Sequence, residues 1–189
     1  MIDLALNFVK QVLNQQLRNQ FGLDADAVIM NHLVETNGNA PLANQNKMVL
    51  TLINLESETN KQFYGGNRSA QGGIVQQLQP AARFNLDILL TASFDVYNEA
   101  LKFLSATISF FQTTPTLTKQ AFPAMPESLV QLQFEVENSP YLQTHNLWSA
   151  LGAKYQPSVI FKIRHVSIQA NETSGEVAAI QGIASEATP

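Results

Sequence analysis

The segment from Lys47 to Leu55, KMVLTLINL, constrains the fold more than any other stretch of this sequence. Its apolar residues fall on both faces of an extended strand, which is typical of a strand buried on both sides. The segment from Ala82 to Ala92 instead alternates apolar and polar residues, which predicts a strand with one wet face. A chain of 189 residues that is 45% hydrophobic can bury such a sheet within one domain.

Apolar residues at helical spacing predict three helices around these strands. The first runs from Ile2 to Phe21 and ends at Gly22. Asp95 is expected to cap a second helix that continues to about Gln112, and a short third helix follows Pro140. The second helix is expected to face the core with five residues: Ala100, Leu101, Leu104, Ile108 and Phe111.

Further strands are expected within residues 27–34, 130–136 and 159–168. The apolar phase of the last strand changes near His165, which predicts a β-bulge there. The order of elements predicts an α+β fold: a single domain with a mixed, largely antiparallel sheet and helices packed on it.

Two parts of the chain show no clear period. Residues 56–80 are rich in glycine and amides, and we expect a long loop there. Residues 170–189 contain three glutamates and no base, and we expect a C-terminal arm or a flexible tail. Residues 1–169 are therefore expected to form the domain.

The composition argues against several classes of function. The net charge is −4 at pH 7 and no basic block occurs, so nucleic acid binding is not expected. The chain has no cysteine, which excludes disulfides, thiolate nucleophiles and cysteine metal sites. The first residues lack the pattern of a signal peptide, and no stretch is long and apolar enough for membrane insertion.

The sequence shows no convincing catalytic or cofactor-binding cluster. The three histidines, His32, His145 and His165, lie far apart and lack the spacing of metal ligands. The glycine pairs at 65–66 and 72–73 lack the Lys-Ser/Thr that a phosphate-binding loop requires. The acids at 87 and 95, or at 135 and 137, are expected on solvated faces. We therefore expect no enzyme, no cofactor and no metal.

The segment from Asn146 to Gln169 predicts a helix end, a turn and a strand. Gly152 is expected to supply a left-handed helix stop, and Pro157 to restrict the start of the strand. Trp148, the only tryptophan, allows two interpretations: an interface anchor, or a core residue that locks the short helix onto the sheet. The core interpretation is the favoured one.

This segment also resembles one protein family. Residues 147–152, LWSALG, 155–159, YQPSV, and 161–164, FKIR, are similar to the ending LWxALG…YxPSVxYKVR of cap proteins of extracellular contractile injection systems. These caps are the tail terminators of headless, phage-tail-like particles. Similarity at LTLINLE (50–56), LDILLTASF (86–94) and YNEALKFL (97–104) extends the resemblance over about residues 1–170.

The resemblance implies a tail-terminator-like fold and a structural role. Such caps form a six-fold ring on the inner tube and the sheath, end polymerisation and stabilise the extended sheath. The implied partners are other copies of the chain and the tube and sheath proteins; whether a second cap paralogue shares the role stays open. The resemblance implies assembly in the cytoplasm, within a particle that is either released or anchored in a membrane.

A closed ring joins one patch to a different patch on the neighbour, and loops and chain ends can extend such contacts. Aromatic and arginine side chains dominate interface energetics. The predicted contacts to subunits, sheath or tube are Phe63, Tyr64, Asn67, Arg68, Trp148 and Arg164.

Two other classes of function stay open. A small-molecule or protein binding module would use the 56–80 loop as a lid and would be a monomer with a concave apolar pocket. An enzyme would require Asp87 and Asp95 to converge in a cleft. A cap would form a ring.

Overall fold

The computed structural model describes residues 1–58, 68–71, 74–78, 82–168 and 173–178. Three helices and nine strands lie within these residues. In chain order they are α1 (Ile2–Phe21), β1 (Val28–Met30), β2 (Lys47–Ser57), β3 (Arg68–Gln71), β4 (Ile74–Leu78), β5 (Ala82–Ser93), α2 (Tyr97–Thr113), β6 (Thr116–Thr118), β7 (Gln131–Val136), α3 (Tyr141–Leu151), β8 (Ser158–Ile168) and β9 (Thr173–Ala178).

The main sheet has the strand order β1-β2-β5-β8-β7-β6. Its β1–β2 pair is parallel, and its other pairs are antiparallel. The prediction of an α+β domain with a mixed, largely antiparallel sheet is therefore confirmed. Strands β3, β4 and β9 form a second, three-stranded sheet. The chain reaches this small sheet from one end of the main sheet, where Ser57 pairs with Phe84 and Ala82 with Ile168.

Helices α1 and α2 cover one face of the main sheet. The apolar stripe of α1 is buried as its spacing predicts, and Gly22 ends the helix with φ 64°. One polar residue interrupts the stripe. The amide of Asn14 donates to the carbonyl of Val28 and accepts from its N–H, both at 2.8 Å, and so fixes α1 to β1. Both polar atoms of this buried amide are thereby satisfied.

Helix α2 differs from the prediction in its cap and in its buried face. Asp95 does not cap it, because the carboxylate of Asp95 accepts from the side chains of Gln45 and Asn46 instead. Leu101 is exposed, whereas Phe103 is buried. Phe103 stacks on Phe21 and Phe94 with ring centroids 4.5 and 4.6 Å apart, and this aromatic stack sets the rotation of the helix.

Helix α3 covers part of the opposite face of the sheet. Trp148 is 5% exposed and packs there with Leu33, Val49 and Leu89. The favoured interpretation of Trp148 as a core residue is confirmed. Gly152 ends α3 with φ 66°, as predicted. Strand β2 is therefore buried on both faces from Met48 to Leu50, but its later leucines are partly exposed.

The predicted bulge in the last strand is confirmed. Phe84 pairs with Val166 and Leu86 with Ile163, so two residues of β8 lie opposite Asn85 alone. The extra residue restores the phase of the strand. As a result, Ile163 and Val166 both reach the core beneath α1 and α2.

Three segments differ in detail from what the sequence pattern predicts within the described residues. Residues 68–71 and 74–78 form strands, although 56–80 was expected to be a loop. Residues 173–178 form β9, which pairs with β4, so this part of the expected tail is a strand. Val130 lies before β7 and is exposed, because β7 begins at Gln131.

We predict that Trp148→Ala lowers the free energy of unfolding by about 3–5 kcal/mol, because it leaves a cavity between α3 and the sheet. Urea denaturation measures the change. Leu142→Ala on the same helix is the matched control, because Leu142 is exposed. A loss below about 1 kcal/mol for Trp148→Ala would contradict the packing described above.

Candidate interaction surfaces

The structure places the six predicted interface residues in different settings. Phe63, Tyr64 and Asn67 lie outside the described residues. Arg68 begins β3 in the small sheet. Trp148 is buried beneath α3, and Arg164 lies on β8, where its Nε contacts a carboxylate oxygen of Glu135 at 2.7 Å. The described residues therefore do not bring the six together in one patch.

A charged stripe crosses the face of the sheet that also carries α3. Its centre is Lys162, whose ammonium lies 2.9 Å from Glu56 and 3.8 Å from both Asp87 and Glu137. Three of these residues lie on β2, β5 and β8, and Glu137 directly follows β7. The side chains of Lys162 and Asp87 are only 16% and 10% exposed, so the stripe contains a largely buried charge pair.

Neighbouring carboxylates shift the pKa values of Lys162 and Arg164. The hydrogen bond to Glu56 raises the pKa of Lys162 against the opposing effect of burial, and Asp87 and Glu137 raise it further. The hydrogen bond and the charge of Glu135 likewise raise the pKa of Arg164. Both cations are therefore held in their charged forms. Sequence reasoning missed Lys162, because its partners are distant in the chain.

The carboxylates do not converge in a catalytic arrangement. Asp87 contacts Asn54 and Lys162, whereas Asp95, beyond the end of β5, accepts from Gln45 and Asn46. Glu135 is paired with Arg164, and Glu137 with Lys162. Within the described ranges, no group of three or more potential ligands could hold a metal ion.

An apolar surface lies at the end of the main sheet where β5 ends and β8 begins. We call it the Tyr155 surface, defined by the exposed side chains of Leu42, Val96, Tyr97 and Tyr155. A groove of about 560 Å³ runs between Leu42, Tyr97 and Tyr155. The other side of Tyr155 meets the Trp148 ring edge-on, with centroids 5.4 Å apart. Exposed tyrosines on a fixed base are typical of interface anchors.

No sequence signal marks this surface. Its residues come from three separate segments, and each one alone could equally be a core residue. Tyr155 lies in the turn before β8, and 68% of its surface is exposed. Such a patch is defined by the fold that brings its residues together.

The arrangement of helices and sheet is the fold of a tail terminator. The sheath/tube terminator of the extracellular contractile injection system PVC, in its extended state, matches with a TM-score of 0.61 and 12% identity. The match covers 94% of this chain and 62% of that chain. The tube-terminating cap of the anti-feeding prophage matches with a TM-score of 0.60 and 15% identity, over 95% of this chain and 60% of that one.

The chain belongs to the Pvc16 N-terminal domain family, whose model matches residues 6–181. The family resemblance and the tail-terminator-like fold are thereby confirmed. The chain spans about three-fifths of the length of the two solved structures. No curated protein matches the sequence. None of the helices in the described residues has the length and apolar character needed to cross a membrane.

We predict that Lys162→Met lowers the free energy of unfolding by about 3 kcal/mol, because it leaves Asp87 buried without its cation. Adding Asp87→Asn should recover about half of the loss, since it removes the unpaired charge. Lys102→Met is the control: its pair with Glu99 is half-exposed and contributes little. A Lys162→Met protein as stable as the parent would show that the stripe does not stabilise the fold.

The effect of Lys162 on stability should also depend on pH. Its pKa is raised above 10.5 in the folded chain, so its contribution is fully present below that pH and is lost as pH rises through the raised value. The difference between the parent and Lys162→Met should therefore stay constant from about pH 7 to pH 10 and narrow above it. A stability difference that narrows already near pH 8 would show that it does not arise from the charge of Lys162.

Proposed function

We propose that this chain is a structural cap that ends the inner tube and the sheath of a contractile injection system as a six-fold ring. The observation that carries the proposal is its membership of the Pvc16 N-terminal domain family, together with its fold. The two solved structures described above are both terminators. The ring stops polymerisation and stabilises the extended sheath, and its partners are the tube and sheath proteins of the same particle.

The chemistry of the described residues supports a structural role over an enzymatic one. The carboxylates of the four candidate acids, Asp87, Asp95, Glu135 and Glu137, are engaged in ion pairs or hydrogen bonds at separate places, and no described cluster resembles an acid–base pair with a cleft. The Tyr155 surface offers what a ring needs, namely exposed aromatic side chains on a rigid base. Assembly in the cytoplasm, before release or anchoring of the particle, completes the proposal.

The small sheet is our candidate for contacts with tube or sheath. Strands β3 and β9 lie at its two edges, and an edge strand can pair with a strand of another protein. Phe63, Tyr64, Asn67 and Arg68 lie within or next to the connection from β2 to this sheet. Arg164, in the second half of β8, belongs to the same proposed interface.

The proposal predicts a ring-sized species. Light scattering of the purified chain, alone and with its co-expressed tube protein, should give the mass of six copies or of a stable complex with the tube. Ring closure through a heterologous contact gives one defined mass. A strict monomer that binds neither the tube protein nor the sheath protein would contradict the proposed cap function and favour a ligand-binding module.

We further predict that Phe63→Ala combined with Tyr64→Ala weakens binding to the tube or sheath protein at least tenfold, as expected for two aromatic anchors. The free energy of unfolding should change by less than about 1 kcal/mol. Tyr141→Ala is the control, because Tyr141 is an exposed tyrosine on α3. Unchanged binding to both proteins and an unchanged ring would remove residues 63–64 from the interface.

A further inference from the structure

A second, smaller groove of about 350 Å³ lies between residues 33–40 and the turn that joins α3 to β8. Internal hydrogen bonds hold its walls. The Asn44 amide donates to the carbonyl of His32 at 3.0 Å and accepts from the Asn31 amide at 2.8 Å. In the opposite wall, the N–H of Gly152 donates to the carbonyl of Ser149. The groove is therefore preformed.

The groove offers groups that would recognise a peptide group of a protruding turn. Trp148 and Gln156 both line it, and within the described residues neither Trp148 Nε1 nor Gln156 Oε1 has a hydrogen-bond partner, although both atoms are buried. One is a donor and the other an acceptor, which is the complement of a peptide group. Lys154 is the one ionised residue of the lining, and it makes no ion pair with the described part of the chain.

A segment of the same chain carries the matching features. Residues 127–130, ESLV, lead into β7, with the Glu127 side chain 92% and Val130 81% exposed, while Leu129 is buried and fixes the segment. Glu127 is paired with Lys119 on the surface, and such pairs are readily exchanged. The segment adjoins β6, which forms one edge of the main sheet, whereas residues 33–40 follow β1 at the other edge.

We propose that in the ring this groove receives residues 127–130 of the adjacent copy. Glu127 of the partner subunit then lies beside Lys154, and a peptide group of the inserted segment supplies the partners of Trp148 Nε1 and Gln156 Oε1. Two different patches at opposite edges of the sheet make the heterologous contact that a ring requires. This inference rests on the proposed function, because the two edges meet when copies assemble head to tail, as they do in the proposed ring.

Charge reversal tests the contact. Lys154→Glu and Glu127→Lys should each raise the concentration at which the ring dissociates about tenfold, because each places like charges together. The double variant should return to within about threefold of the parent, since it restores the pair in reverse. Lys10→Glu on α1 makes the same charge change away from the groove and should have no effect. The contact would be overturned if neither single variant changed this concentration. It would also be overturned if the ring of the double variant dissociated more readily than the ring of either single variant.

Covalent trapping gives an independent result, because the parent has no cysteine. Lys154→Cys combined with Glu127→Cys, treated with a short bis-maleimide, should give a ladder of linked subunits in assembled rings. Each single variant is the control and should give no ladder. Assembled rings that yield no ladder would overturn the contact but would not contradict the proposed function as a cap. If neither tube nor sheath protein produces a ring, the proposed function itself fails.

The single tryptophan reports on the groove directly. In a chain labelled with 5-fluorotryptophan, the ¹⁹F resonance of Trp148 should shift when the ring forms. It should stay at its monomer position in Lys154→Glu at concentrations where the parent is assembled. A resonance unchanged by assembly of the parent would contradict hydrogen bonding of the indole by the inserted segment.

Discussion

The structure depends on a sheet whose central strands are covered on both faces. Met48 and Leu50 face α1 and α2, whereas Val49 faces Trp148 on α3. A strand of this kind is stable only when both layers are in place, because either face alone would leave a row of large apolar side chains in water. The two long helices provide one layer, and the other depends on a single short helix fixed by its tryptophan.

Helix α3 covers only part of its face of the sheet, which explains why charged residues occur on the rest of that face. Outside the area that α3 covers, the strands carry charged residues. There Lys162 pairs with carboxylates from three other segments. Such a cluster contributes little net stability when compared with an apolar replacement, but breaking it leaves a buried charge. It therefore fixes which side chains lie in register across β2, β5, β8 and β7.

The parts of the fold that follow from local periodicity could be predicted from the sequence. The stripe of α1, the glycine stop of α3 and the bulge near His165 all leave a pattern within a few residues. The buried face of α2 could not be predicted, because Phe21 and Phe94 decide it from distant positions. The small sheet was missed for the same reason: β4 pairs with β9, which lies about a hundred residues later.

The interaction surfaces also divide into residues that a local sequence pattern indicates and residues that only the folded chain brings together. Trp148 was recognisable as a core residue from its helix and its leucine neighbours. The Tyr155 surface and Lys162 were not recognisable, because their partners come together only in the folded chain. The motifs of residues 147–164 indicated the family, and the match of the family model confirmed it.

The most direct test is to observe where the chain sits on a growing tube. Tube protein should be polymerised with and without the gold-labelled chain and imaged by electron microscopy. The account predicts label at one end of each tube and shorter tubes as the chain is added. Label spread along the tubes, or tubes of unchanged length with bare ends, would contradict a terminator.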